Sequence, residues 1–212
     1  GYLDLRFTNV TSLAGKTTKI LATSKGGAHF VTETKHGPTD IPHQARLDAA
    51  ILTAQSFPCD FLFGPPVKEG LKKGGSGGMA TALGPPTKGN AILLTPPPDT
   101  AALEYYNRGR LLATQLTLQV PKRHRSDRGL ADLFVLSLYG NVDDHDEADA
   151  LLEATEDWVA HSFPDCPVLI GGDFNLENSP TLDRWRDSGH LLDLMVHHSV
   201  ARNRDVANTT AT

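Results

Sequence analysis

The chain has 212 residues, 39% of them hydrophobic and 21% charged, and a formal net charge of −5. That is the composition of a globular domain or a small pair of domains, not of a disordered or fibrous chain. No apolar run reaches the roughly 20 residues that a membrane-spanning helix needs, no charged-then-apolar leader opens the sequence, and the acidic balance excludes a uniformly basic nucleic-acid coat. Any contact with a polyanion has to come from a local patch. Residue 1 is Gly, not Met, so the start of the natural protein is expected to lie upstream. Cys59 and Cys166 are the two cysteines. They are too few for a disulfide framework or a four-thiolate zinc site, and they read as reduced thiols, with a single disulfide as the alternative.

Residues 3–10 alternate as a strand does, with Leu3, Leu5 and Phe7 on one face and Asp4, Arg6 and Thr8 on the other. Residues 28–32 form a second short strand candidate, ending at Glu33. The spacing of Ala45, Ala49, Leu52 and Gln55 predicts a helix over 41–57, with Leu47, Ile51 and Ala54 beside that stripe and Pro58 as its stop. Residues 61–63 read as a strand that ends at a Gly-Pro-Pro turn. The glycine-rich stretch 68–78 reads as a loop, because strand-like 79–83 and 91–95 follow at once. Pro96, Pro97 and Pro98 break that pattern. Residues 110–120 alternate, and 130–139 are rich in β-formers. Between them, 121–129 is a basic hairpin loop. The clearest helix is 146–163, with Leu151, Leu152, Thr155, Trp158 and Val159 as its apolar stripe. Asp143 and Asp144 suit its N-terminus. Residues 167–172 read as a buried strand, 180–187 as a short helix, and 201–212 as a polar, frayed tail. No internal repeat is visible.

The strongest chemical signal is Gly171-Gly172-Asp173-Phe174-Asn175, directly after the apolar run Val168 to Ile170. A strand that ends in two glycines and then presents a carboxylate and an amide sets both groups at a sheet's rim. The glycines permit a tight turn and a close approach. A carboxylate there can orient or deprotonate a water, and an amide can hydrogen-bond a phosphate oxygen. Taken alone, the same residues also suit a simple strand-to-loop turn with local backbone bonds.

Other segments join this one. Thr8-Asn9-Val10 closes the first strand, Ala28 to Thr34 carries Glu33 at a strand end, Gly77-Gly78-Met79-Ala80 opens a strand, and Val135 to Gly140 ends in Tyr139. With the Gly171–Asn175 box and Leu191-Leu192-Asp193-Leu194, their order and spacing resemble the endonuclease/exonuclease/phosphatase superfamily, the deoxyribonuclease I-like proteins. The resemblance covers nearly the whole chain. Within the superfamily, the Asp144-His145-Asp146-Glu147 helix start and the box look most like non-LTR retrotransposon endonucleases.

The resemblance implies an α/β fold: a four-layer sandwich of two β-sheets, mostly antiparallel and mixed, flanked by helices. It implies one such domain over 1–200, with 201–212 as the tail. It implies a phosphodiester hydrolase that uses Mg²⁺ or Mn²⁺, with DNA as substrate and partner, without membrane association, and nuclear if derived from a retroelement. Glu33 and Asn9 would serve the metal, since a hard divalent cation prefers oxygen donors. Asp173 would activate the attacking water, and Asn175 and Tyr139 would hold the phosphate. Two other readings stay open at this point. One is a phosphoinositide phosphatase or sphingomyelin-type phosphodiesterase of the same superfamily. The other is a degenerate, non-catalytic remnant.

One departure bears on activity. The superfamily's last motif, a Ser-Asp-His whose His contacts the scissile phosphate, has no counterpart after Asp193. His197-His198-Ser199 has the wrong order. The resemblance therefore implies a domain incomplete at its C-terminal end, without its last strands and weak as a nuclease. Three further features carry less. Ala14 to Thr18 has the tail of a phosphate-binding loop, but Val10 stands where that pattern needs Gly. The 143–147 acidic cluster reads as a helix start more economically than as a metal site. Lys122, Arg123, His124, Arg125 and Arg128 form the one dense basic patch, which suits either a nucleic-acid backbone or an exposed hairpin loop.

Overall fold

The computed structural model describes residues 3–67, 77–119, 130–176 and 178–188. Most of the glycine-rich stretch, the basic 121–129 loop, His197, His198 and the 201–212 tail lie outside the described residues. The chain divides into a unit over Gly1–Leu176 and a second over Glu177–Thr212. Within the second, the described structure is helix α5 (Pro180–Ser188), on which Thr181 and Trp185 are buried.

The first unit holds two four-stranded sheets. β1 (Asp4–Asn9), β2 (Gly27–Thr32), β4 (Met79–Leu83) and β3 (Asp60–Phe63) form one in that order. β5 (Ala91–Leu94), β6 (Leu111–Gln119), β7 (Leu130–Tyr139) and β8 (Val168–Asp173) form the other. Both sheets are mixed, and each has one parallel pair at an edge. β1 runs parallel to β2, joined through α1 (Thr17–Thr23), and β7 runs parallel to β8, joined through α4 (His145–Ser162). Every other pairing is antiparallel. A parallel pair brings two strand C-termini to the same edge, where open α/β sheets commonly bind ligands.

The period-2 alternation of strands sorts the core into two layers. Val31, Phe61, Ala80 and Ala82 pack with Ile20 and Leu21 of α1 and with Ala45 and Ala49 of α2 (Asp40–Ala54). On the other face Ala28, Phe30 and Leu83 pack with Leu116 and Val135 of the second sheet, joined by Leu5, Phe7, Leu133 and Leu169. α4 buries Ala148, Leu151, Leu152, Thr155 and Trp158 at helical spacing. Its start is capped by Asp144, whose Oδ1 accepts from the Glu147 N–H at 2.9 Å. The acidic cluster is thus a helix start.

Three expectations need correction. β8 is not a buried strand: Val168, Leu169 and Ile170 are only half-buried, and among the described residues β8 is the edge of its sheet. On α2, Ala45 and Ala49 of the expected stripe are buried together with Asp48, while Leu47 and Ile51 beside that stripe are 47% and 57% exposed. Thr17 and Thr18, the end of the Ala14–Thr18 stretch set aside above, open α1 (Thr17–Thr23), which has no counterpart in the sequence reading. Thr17 and Thr18 at its start both donate to Asp48 of α2, which also accepts from Gln44 at 2.8 Å. Both cysteines are free, Cys59 buried and Cys166 exposed. Among the described residues no helix is long and apolar enough to cross a membrane.

Candidate active site

The layer between the sheets changes character along its length. Leu5 and Phe7 share a face of β1 with Asn9; Ala28 and Phe30 share one of β2 with Thr32. Leu133 and Val135 share a face of β7 with Ser137 and Tyr139; Leu169 shares one of β8 with Gly171 and Asp173. Four strands thus carry an apolar core that turns polar at the C-terminal end of each.

The register sets those ends side by side. Asn9 pairs with Thr32, the residue before Glu33, and Tyr139 pairs with Asp173. The two sheets meet at the same end, where Asn9 Nδ2 donates to Asp173 Oδ2 at 2.9 Å. Asn9 Oδ1 in turn accepts from the Thr11 N–H at 3.0 Å, which fixes the amide plane. As found, Asn9 orients Asp173.

The two glycines before Asp173 have separate physical reasons. A Cβ on Gly171 would lie 2.7 Å from the Phe7 ring, so its absence lets β1 close onto β8. Gly172 has φ +141, and a Cβ there would meet the Leu138 carbonyl oxygen at 2.0 Å. Only Gly fits that turn of the strand. Asn175 follows at φ 52, a region Asn tolerates, and its Nδ2 donates to the Gly140 carbonyl at 2.9 Å. Gly140 N–H donates back to the Asp173 carbonyl at 2.9 Å.

Glu33 sits in a strained turn. Glu33 and Lys35 have φ of 58 and 51. Non-glycine residues in that region cost on the order of 1–3 kcal/mol each and need support from their surroundings. Here Thr34 and Lys35 N–H donate to the Gly78 and Gly77 carbonyls at 3.0 and 3.1 Å, and Leu13 N–H donates to the Thr34 carbonyl at 2.9 Å. His36, 1% exposed, clamps the turn, with Nδ1 2.6 Å from Thr34 Oγ1 and Nε2 3.1 Å from the Gly64 carbonyl oxygen. Burial lowers the His36 pKa below the ordinary imidazole value, which favours the neutral ring. The Glu33 side chain is 12% exposed and pairs with Lys35 Nζ at 3.1 Å.

Tyr139 is 4% exposed, so it belongs to the core more than to the rim. The Arg110 guanidinium lies 4.8 Å from its ring centroid. Arg110 is itself buried, which pulls its pKa down, while Tyr139, Glu147 and Glu33 act to raise it and Arg108 to lower it. His36 and Arg110 carry no sequence motif. Only their distant neighbours give them a place in the site.

Glu33, Asp173 and Asn9 supply carboxylate and amide oxygens, the donor set of a hard cation such as Mg²⁺ or Mn²⁺. Among the described residues no group of three or more His, Cys, Asp or Glu side chains is placed to hold a metal ion. The buried hydroxyls of Thr32, next to Glu33, and of Ser137, two residues before Tyr139, have no hydrogen-bond partner among the described residues. They leave polar capacity at the strand ends that carry the site.

No protein-family profile matches the sequence. No curated protein matches it either. The fold does have solved counterparts. The human Nocturnin catalytic domain, solved with bound sulfate, matches at TM-score 0.50 and 14% identity over 86% of this chain and 67% of that one. The Xenopus laevis APE2 catalytic domain matches at TM-score 0.51 and 14% identity over 83% of this chain and 59% of that one. At such identities the likeness is one of fold. By this likeness the chain has the deoxyribonuclease I-like fold.

Proposed function

We propose that the chain is a metal-dependent phosphodiester hydrolase acting on DNA, an endonuclease domain of retroelement type. The observation that carries this reading is the Asn9–Asp173 hydrogen bond of 2.9 Å, which joins the polar ends of two sheets 164 residues apart in sequence. A structural turn at the Gly171–Asn175 box has no need of an orienting amide from another sheet. The Gly-Gly-Asp-Phe-Asn box and the acidic α4 start favour the retroelement class.

In this reading Asp173, held by Asn9 through Oδ2, offers its other oxygen to the attacking water and takes its proton. The new bond forms to phosphorus as the bond to the leaving oxygen breaks. Asn175 gives one N–H to Gly140, and its NH₂ group has a second to offer a phosphate oxygen. Tyr139, the register partner of Asp173, would hold the phosphate through its phenol. Glu33, pinned in its strained turn, and the Asn9 oxygen would hold Mg²⁺ or Mn²⁺. A bound divalent cation supplies charge stabilisation at the phosphate and leaving oxygens.

The test is nicking of supercoiled DNA in Mg²⁺, by this chain and by a C-terminally extended version. Cleavage in either that is lost in Asp173→Ala and in Glu33→Ala supports the proposal. Absence of cleavage in both, or cleavage that survives Asp173→Ala, overturns it.

A further inference from the structure

We propose that Arg110 is a positioning residue, whose buried guanidinium sets Tyr139 and Asn175 in place for the phosphate; this rests on the reading of those two residues given above.

Arg110 is tied to Tyr139 by three contacts. Its guanidinium carbon stands 4.8 Å from the ring centroid. Its backbone carbonyl accepts the Tyr139 N–H at 2.9 Å. Its Nη1 reaches the Tyr139 carbonyl oxygen at 3.4 Å. The same Nη1 donates to the Gly140 carbonyl at 3.0 Å. That carbonyl is also the acceptor of the Asn175 amide at 2.9 Å, while Gly140 N–H bonds Asp173. One side chain therefore fixes the ring, and one carbonyl shared with it fixes the amide. The loop that carries Arg110 also connects to the other half of the site. Gly109 accepts from Gly78 N–H at 3.1 Å, and Gly78 and Gly77 accept from the turn that holds Glu33.

Burying a cation is costly, and an apolar residue of like volume commonly serves packing at least as well. Arg110 is 8% exposed. What the cation adds is direction. A guanidinium presents its donors in a rigid planar fork and stacks on an aromatic face. A methionine fills the same space but offers neither donor nor charge.

The test compares Arg110→Met and Arg110→Lys with the parent chain. Positioning predicts that kcat for DNA cleavage falls about 10- to 100-fold in Arg110→Met, the range for residues that orient others. KM should change by less than about threefold, because the loss is expressed in the transition state. Arg110→Lys, which keeps the charge over the ring, should recover part of kcat. A second readout needs neither metal nor activity. In nitrogen–proton NMR of the metal-free chain, the side-chain amide signals of Asn175, assigned with Asn175→Asp, should move in Arg110→Met and less in Arg110→Lys. A merely structural Arg110 would lower the melting temperature and leave both the kcat of the folded fraction and the Asn175 signals unchanged. That result overturns the proposal. If the parent shows no cleavage, the catalytic reading fails on its own, and the Asn175 signals still decide for or against positioning.

Discussion

Gly172→Ala tests whether the geometry before Asp173 is as tight as the structure has it. The alanine Cβ would lie 2.0 Å from the Leu138 oxygen, 2.8 Å from its nitrogen and 3.0 Å from its carbonyl carbon, all backbone atoms that cannot rotate away. Leu138 is the register partner of Gly172, so relief requires β8 to lift from β7. Two costs combine. Holding a non-glycine residue at φ +141 costs on the order of 1–3 kcal/mol. Overpacking against fixed atoms adds about 1–3 kcal/mol. We expect a loss of about 4 kcal/mol, or roughly 8–16 °C in Tm for a domain of this size. Gly89→Ala is the matched control. Gly89 also has positive φ, +81, but nothing lies within 4 Å of its added Cβ. Its loss should stay at about 1–2 kcal/mol, the left-handed penalty alone. Urea unfolding of both variants measures the difference. Equal losses, within about 1 kcal/mol, would show that β8 does not press on β7 here, and the account of the two glycines would fall.

Millimolar Mg²⁺ or Mn²⁺ should stabilise the fold by about 1.4 kcal/mol at tenfold saturation, by binding only the folded state, and so raise Tm, and Glu33→Gln should abolish that rise; an equal rise in the variant refutes the metal assignment. Stability should also depend on pH through His29, buried with its ring between Thr8 Oγ1 at 2.7 Å and Thr23 Oγ1 at 2.8 Å, and through His36. Burial depresses both pKa values below 6.5, the model-compound value. The unfolded chain then takes up protons first, so stability is full above about pH 6.5 and falls as pH drops below it. Asp48, whose pKa lies below 3.8, adds its loss only at lower pH. Chemical unfolding between about pH 7 and pH 5 measures this slope, which should flatten in His29→Gln; a flat profile in the parent contradicts it.

How much of this was legible in the sequence follows the physics of each element. β7 and α4 were legible because one has a long run of β-formers and the other an unbroken apolar stripe with an acidic cap. α1 was not, because Thr17, Thr18 and Thr23 are weak helix formers and the helix is held by Asp48, some 30 residues away. α3 (Ala101–Asn107) spans 7 residues, too short for a periodic signal, although Thr100 caps it through its side chain. The edge position of β8 depends on strand order, which local pattern does not encode. Asn9, Glu33, Tyr139, Asp173 and Asn175 were nameable because each stands at a strand end inside a motif. Arg110 and His36 were not, since an arginine after a glycine and a histidine after a lysine become meaningful only when Tyr139 and Gly64 are brought against them.

In the proposed site, Glu33, Asn9, Asp173, Asn175 and Tyr139 surround one divalent cation and one phosphate. A crystal structure of the chain soaked in Mn²⁺ tests it most directly, through the anomalous signal of the metal. We expect one Mn²⁺ peak at bonding distance from a Glu33 carboxylate oxygen, in the same pocket as Asp173. A peak elsewhere, or a Glu33 carboxylate more than roughly 12 Å from that of Asp173, too far to share one metal-centred site, would contradict it.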